Sequence, residues 1–145
     1  MLKAIQSGLD LSFSMGESAR IIKKESKKNF ILRGFGKYPP LSRKYFRRKQ
    51  QLNPGTPILV GLKKNGSVSG KLRDSVIGNT SDSVLKIELR SLVVGTKAKS
   101  SKGKPYPVFV QEGTKTMPAR KFLFFSQRMV RQIINTIKTD IANQL

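Results

Sequence analysis

The sequence predicts an α+β fold: a small antiparallel sheet packed with an N-terminal helix and a long C-terminal amphipathic helix. Three observations carry this. Met129, Val130, Ile133, Ile134, Ile137, Ile141 and Leu145 recur at spacings of three and four, which places them along one helix face. Leu85, Ile87 and Leu89 alternate with Lys86, Glu88 and Arg90, the period of a strand with one buried and one wet face. Ser14 and Glu17 have capping-box spacing, and after them Ala19, Ile22 and Phe30 share a face while Lys23, Lys24, Lys27 and Lys28 crowd the others. A length of 145 residues suits a single domain, 1–145, with a core of its own.

The remaining elements follow in chain order. Leu9, Leu11 and Phe13 alternate and predict a short strand ahead of the first helix, which Gly34 and Gly36 end. The segment 34–56 is basic and rich in loops. Pro39 and Pro40 bar a regular helix before Leu41, Ser42 caps a short helical turn carrying Tyr45 and Phe46, and Asn53-Pro54-Gly55 is a turn. Thr56 to Leu62 is a short β-prone run, followed by turn chemistry at Lys64-Asn65-Gly66. Leu72–Ile77 and Val84–Val94 read as the two arms of an antiparallel hairpin over about 70–95. Residues 96–105 hold four lysines and no acid among serines and a glycine, which predicts a flexible loop that buries nothing. Tyr106, Val108 and Val110 alternate, in a segment that also reads as a helical turn. Gly113-Thr114 is a turn, Pro118 opens an extended piece, and Phe122, Leu123 and Phe125 lead into the last helix, whose Arg128, Arg131 and Lys138 lie off the apolar stripe.

Charge is the strongest global property. Lys and Arg number 29 against 8 Asp and Glu, a net charge of +21, so copies repel one another unless salt or a polyanion neutralises them. The candidate DNA- or partner-facing residues are Arg43, Lys44, Arg47, Arg48 and Lys49 in the middle segment, and Lys97, Lys99, Lys102 and Lys104 in the later loop. The chain has no Cys and no His, which removes disulfides, thiolate chemistry and the commonest general base and zinc ligand. No two of its acids share a short motif, so neither a carboxylate pair nor a metal cluster is legible. The reading is therefore no catalytic, metal or cofactor-binding residue, no cofactor and no enzyme. The first residues, MLKAIQSGLDLSF, lack an apolar run of signal-peptide length, and no stretch approaches the roughly 20 apolar residues of a membrane span, so a soluble intracellular product without a membrane partner is expected. Glu112, Arg120, Phe122, Ile133 and Ile137 are the candidate structural or interface residues, with Arg120 expected to pair with an acid such as Glu112.

Four segments carry a family resemblance. They are YPPLSRKYFRRK (38–49), SGKLRDSV (69–76), YPVFVQEGT (106–114) and MPARKFL (117–123). In this order the chain resembles the tailed-phage virion morphogenesis proteins, the tail-completion and head–tail joining group that includes the Mu G-like and HK97-like families. Family members look like P-L-S-x-x-Y-x-x-R-K, G-x-L-R-x-S-I, Y-A-x-x-x-x-x-G-T and x-P-A-R-P-F-L. The matching positions here are Pro40, Leu41, Ser42, Tyr45, Arg48 and Lys49; then Gly70, Leu72, Arg73, Ser75 and Val76; then Tyr106, Gly113 and Thr114; then Pro118, Ala119, Arg120, Phe122 and Leu123. Pro107 stands where Ala is usual and Lys121 where a second Pro is usual, and the likeness spans roughly residues 20 to 145. It implies a structural virion protein that forms a homo-oligomeric ring, a hexamer being one such arrangement, at the neck or the head-proximal end of the tail. Implied partners are other neck, connector and tail-tube proteins, with nonspecific contact to genomic DNA. The implied location is the virion, after assembly in the host cytoplasm. Basicity alone supports an alternative, a sequence-nonspecific nucleic-acid-binding protein.

Overall fold

The computed structural model describes residues 9–35, 37–62, 65, 67–78 and 80–145. The expected Gly36 helix stop and the Lys64 and Gly66 positions of the expected turn lie outside these. The chain is α+β: helix α1 (Ser12–Ile31), α2 (Arg43–Leu52), strands β1 (Gly61–Leu62) and β2 (Val68–Ser69), α3 (Lys71–Ile77), β3 (Ser83–Ile87), β4 (Leu92–Thr96), α4 (Pro107–Glu112) and α5 (Gln127–Gln144). Two two-stranded antiparallel ribbons are present, β1–β2 and β3–β4, the second in register from Ser83 opposite Thr96 to Ile87 opposite Leu92.

The N-terminal and C-terminal helices stand where their periodicities place them, and α5 packs along α1. Ala19, Ile22 and Phe30 of α1 are buried as expected. The start of α1 differs. Phe13 lies inside the helix, so no strand forms over Leu9 to Phe13, and Ser14 is a buried first-turn residue rather than the cap. Its hydroxyl donates to the Leu11 carbonyl at 3.1 Å, and its N–H donates to Asp140 Oδ2 of α5 at 3.1 Å. A carboxylate 126 residues away thus serves a free N–H of the first turn, a site that suits negative charge. Glu17 instead pairs with Arg20 on the surface. At the other end Arg33, Gly34 and Phe35 all have positive φ, and the Gly34 N–H donates back to Asn29 O at 2.9 Å. Only glycine fits there, because a Cβ would lie 2.5 Å from the Tyr38 ring.

The hairpin is shorter and later than its sequence signal. Residues 71–77, read as a strand, form α3, because Leu72 and Val76 are four apart and both enter the core. The single run Val84–Val94 folds back on itself at Glu88–Ser91 into β3 and β4. The alternation is real, but Leu85, Ile87 and Leu89 do not form a buried face: all three are exposed, Leu89 by 60%. The hairpin rests on α1 and α3, with the Thr96 hydroxyl 2.7 Å from that of Ser75, and its outer half carries Leu85, Ile87 and Leu89 in the open.

The core gathers at the opposite end. Phe30, Leu72, Val76 and Phe122 form one buried cluster, with Leu59, Tyr106, Val110 and Leu123 packed against it. The Phe30 and Phe122 ring centroids are 5.9 Å apart. The segment around Tyr106, open between strand and helix from sequence, is α4, with Pro107 at its first position.

Candidate functional site

Three features carry chemistry: an extended strap at 118–124, the basic helix α2, and a cleft between them. The strap begins after a turn at 114–117, in which Thr114 N–H donates to Met117 O at 2.7 Å. Gly113 sets the turn. Its φ is +80°, and a Cβ there would lie 2.7 Å from the Ala119 nitrogen.

Polar side chains fasten the strap. Gln111 Oε1 accepts from the N–H groups of Phe122 and Leu123 at 3.1 and 3.2 Å, and its Nε2 donates to Leu123 O at 2.6 Å. Asn29 Nδ2 donates to the carbonyls of Lys121 and Phe122, and the Tyr38 hydroxyl donates to Lys121 O at 3.0 Å. Burial raises the Tyr38 phenol to about 12. Gln111 and Asn29 were not singled out from sequence. A neutral amide between charged or apolar neighbours gives no pattern until the backbone it serves is in place.

Arg120 is 6% exposed, yet it does not meet Glu112, which is exposed. Its Nε and Nη2 donate to the carbonyls of Pro39 and Pro40 at 3.1 and 2.9 Å. Those carbonyls are available because the extended Pro-Pro segment enters no helix or sheet. Arg120 therefore ties the strap to the residues that lead into α2. Burial lowers its pKa from the usual arginine value.

Helix α2 starts at Ser42, whose Oγ accepts from Tyr45 N–H. Arg43, Lys44, Arg47 and Arg48 are exposed at spacings of three, four and five, and with Gln51 they line one shallow recess. Lys49 departs from its expected role as a DNA- or partner-facing residue. It is 1% exposed, and its Nζ donates to the carbonyls of Pro57, Ile58 and Val60, holding the loop after α2 against the helix. Burial, with the Arg120 and Arg33 charges, pushes its pKa down to about 8.

The loop after β4 is hydrogen-bonded as a turn. Ser100 N–H donates to Lys104 O and Gly103 N–H to Ser100 O, both at 2.9 Å. Lys97, Lys99, Lys102 and Lys104 are exposed, but Ala98 is wholly buried, contrary to the expectation that the loop buries nothing. Lys71 fixes the loop by donating to Lys99 O at 3.0 Å while pairing with Asp82 at 3.2 Å. Phe122 is in the core, and Ile133 and Ile137 are half-buried on α5.

A cleft of about 920 Å³ opens between these parts. It runs from Pro40–Tyr45 past Ile58–Gly61 to the 99–101 loop, and is closed by Tyr106, Val110, Met117 and Arg120. Among the described residues, no three His, Cys, Asp or Glu gather as a metal site, and no helix is long and apolar enough to cross a membrane. No family model, curated protein or solved structure matches the chain.

Proposed function

We propose that the chain is a structural subunit of a tailed-phage virion, forming a ring at the neck or head-proximal end of the tail and acting by assembly without turnover. The observation that carries this reading is the pair of apolar surfaces left on two different elements. Leu85 and Ile87 are exposed on one face of the hairpin with Leu89 at its tip, and Val130 and Ile134 are exposed on α5. A cyclic ring joins unlike faces of neighbouring copies, so each subunit needs two distinct adhesive surfaces. Scattered exposed apolar residues need no explanation, whereas grouped ones mark interfaces. The sequence resemblance supports the same role: its fastening residues Pro40, Arg120 and Phe122 are the ones that build the strap and its anchor.

The net charge of +21 opposes such a ring at low salt. Light scattering across a salt series is therefore expected to show the mass rising from monomer to a closed oligomer as salt increases. On particles of the encoding phage, an antibody to this chain should label the head–tail junction. Label absent from that junction overturns the proposal.

A second reading, nonspecific nucleic-acid binding, rests on the exposed row Arg43, Lys44, Arg47 and Arg48. It calls for tight DNA binding by the free chain, falling steeply with salt. Binding of the free chain that is weak at physiological salt argues against it.

A further inference from the structure

The cleft has a composition that neither reading uses. Leu41, Ile58, Leu59, Leu72, Val110 and Met117 give it apolar walls. Its charged lining residues are Lys71, Lys99 and Arg120, and none of its lining residues is an Asp or Glu. Its volume, about 920 Å³, lies toward the upper end of the roughly 300–1,000 Å³ typical of ligand pockets.

Arg120 makes the cleft more than a gap. A buried cation is ordinarily matched by an anion, because desolvation is costly and neutral carbonyls offset only part of it. Arg120 is 94% buried, by its 6% exposure, and its bonds run to the two proline carbonyls. Lys49 nearby is likewise buried on carbonyls, and the two positive charges oppose each other. Among the described residues no acid pairs with either. This end of the cleft therefore favours a negative group, while its walls favour apolar side chains. Phosphates along a nucleic acid meet the first requirement and not the second, and the exposed row on α2 suits them better. The chain's own acids are a poor source: it has 8, of which Glu17, Glu25, Asp74 and Asp82 already pair with cations.

We propose that this cleft is a docking site for an extended apolar segment bearing carboxylates, supplied by a different protein, with its apolar side chains on the Leu41–Ile58–Val110 walls, one carboxylate at the Arg120 end and another at Lys99 on the 99–101 loop. The segment supplies an anion to Arg120, whose hydrogen bonds run to neutral carbonyls. No residue of β3, β4 or α5 lines the site.

The test is fluorescence anisotropy with the full chain at physiological salt and three labelled octapeptides: alternating Leu and Asp, all Asp, and alternating Leu and Lys. The Leu/Asp peptide is expected to bind at least about tenfold more tightly than either of the others. Lys99→Glu, which removes a rim cation, and Tyr45→Ala, which removes part of a wall, should each weaken it by about tenfold. Both residues are exposed, so the variants should fold, which circular dichroism checks. Arg47→Glu, outside the cleft, should leave the affinity within about twofold. All-Asp binding as tight as Leu/Asp, or an Arg47→Glu loss equal to that of Lys99→Glu, shows polyanion attraction alone and overturns the proposal. So does the absence of Leu/Asp binding.

Discussion

The strap end and the hairpin end of this molecule reverse the usual placement of polar and apolar groups. At the strap, buried polar side chains do much of the fastening: Asn29, Gln111 and Arg120 hold extended backbone that belongs to no sheet. At the hairpin, backbone pairing is complete from Ser83 to Thr96, yet Leu85, Ile87 and Val93 face solvent. The strap end is fastened by side chains of its own chain. The hairpin end has regular secondary structure and rests on α1 and α3, but Leu85, Ile87 and Leu89 stay uncovered. The difference teaches that periodicity reports which residues share a face, while coverage of that face depends on what else arrives there.

The largest expected effect tests the strap end. Phe122→Ala removes the ring that packs on Phe30 and should cost about 3–5 kcal/mol in urea unfolding. Gly113→Ala comes next, at about 1–3 kcal/mol, because φ of +80° and a 2.7 Å approach to Ala119 both penalise a Cβ. If Gly113→Ala melts like the parent chain, the turn does not hold the strap. Adjacent residues then sharpen the point. Gln111→Ala should cost about 1–3 kcal/mol, since it strands three backbone groups, whereas Glu112→Ala should stay within about 0.5 kcal/mol. Equal effects would remove the distinction between fastener and surface residue.

At the hairpin end the order reverses. Leu89→Ser should change monomer stability by no more than about 0.5 kcal/mol, because Leu89 is already 60% exposed, while lowering the oligomer mass in light scattering. A Leu89→Ser chain that assembles normally excludes the hairpin tip from the subunit interface.

The last effect is one of pH. The folded chain releases the Lys49 proton near 8, and the unfolded chain holds it to about 10.5. Between these values the unfolded state binds more protons, so stability rises with pH. Tyr38 acts in the opposite direction: its phenol ionises near 10 when unfolded and about 12 when folded, so stability falls across that window. Urea midpoints should therefore rise from pH 8 toward 10 and then decline. Lys49→Met should lose the rise and Tyr38→Phe the decline. Unchanged slopes in both variants would show that these groups do not control the profile.

Legibility from sequence followed the range of the interaction. The Ser42 cap, the Asn53-Pro54-Gly55 turn and the apolar side of α5 rest on neighbours a few residues away, and all are present. Leu72–Ile77 was misread because six residues with Leu72 and Val76 near their ends fit either period, and contact with Phe30 selects the helix. Arg120 stands out in the sequence, and its charge points to an acid. Its partners are instead neutral carbonyls 81 and 80 residues away, which carry no charge signal. Lys49 was grouped with its basic neighbours because composition carries no information on which side of α2 meets the following loop.

By itself the sequence determined the α+β class, the two long helices, the glycine-dependent turns and the intense positive charge. Each of these is local or additive: helix period, backbone sterics and a sum of charges need no tertiary partner. Tertiary structure alone decided that Lys49 is inside while Arg47 and Arg48 are outside, that Asp140 serves the start of α1, and that Gln111 rather than Glu112 holds the strap. These depend on which backbone groups are left without partners once the chain has folded, and burial makes satisfying them obligatory.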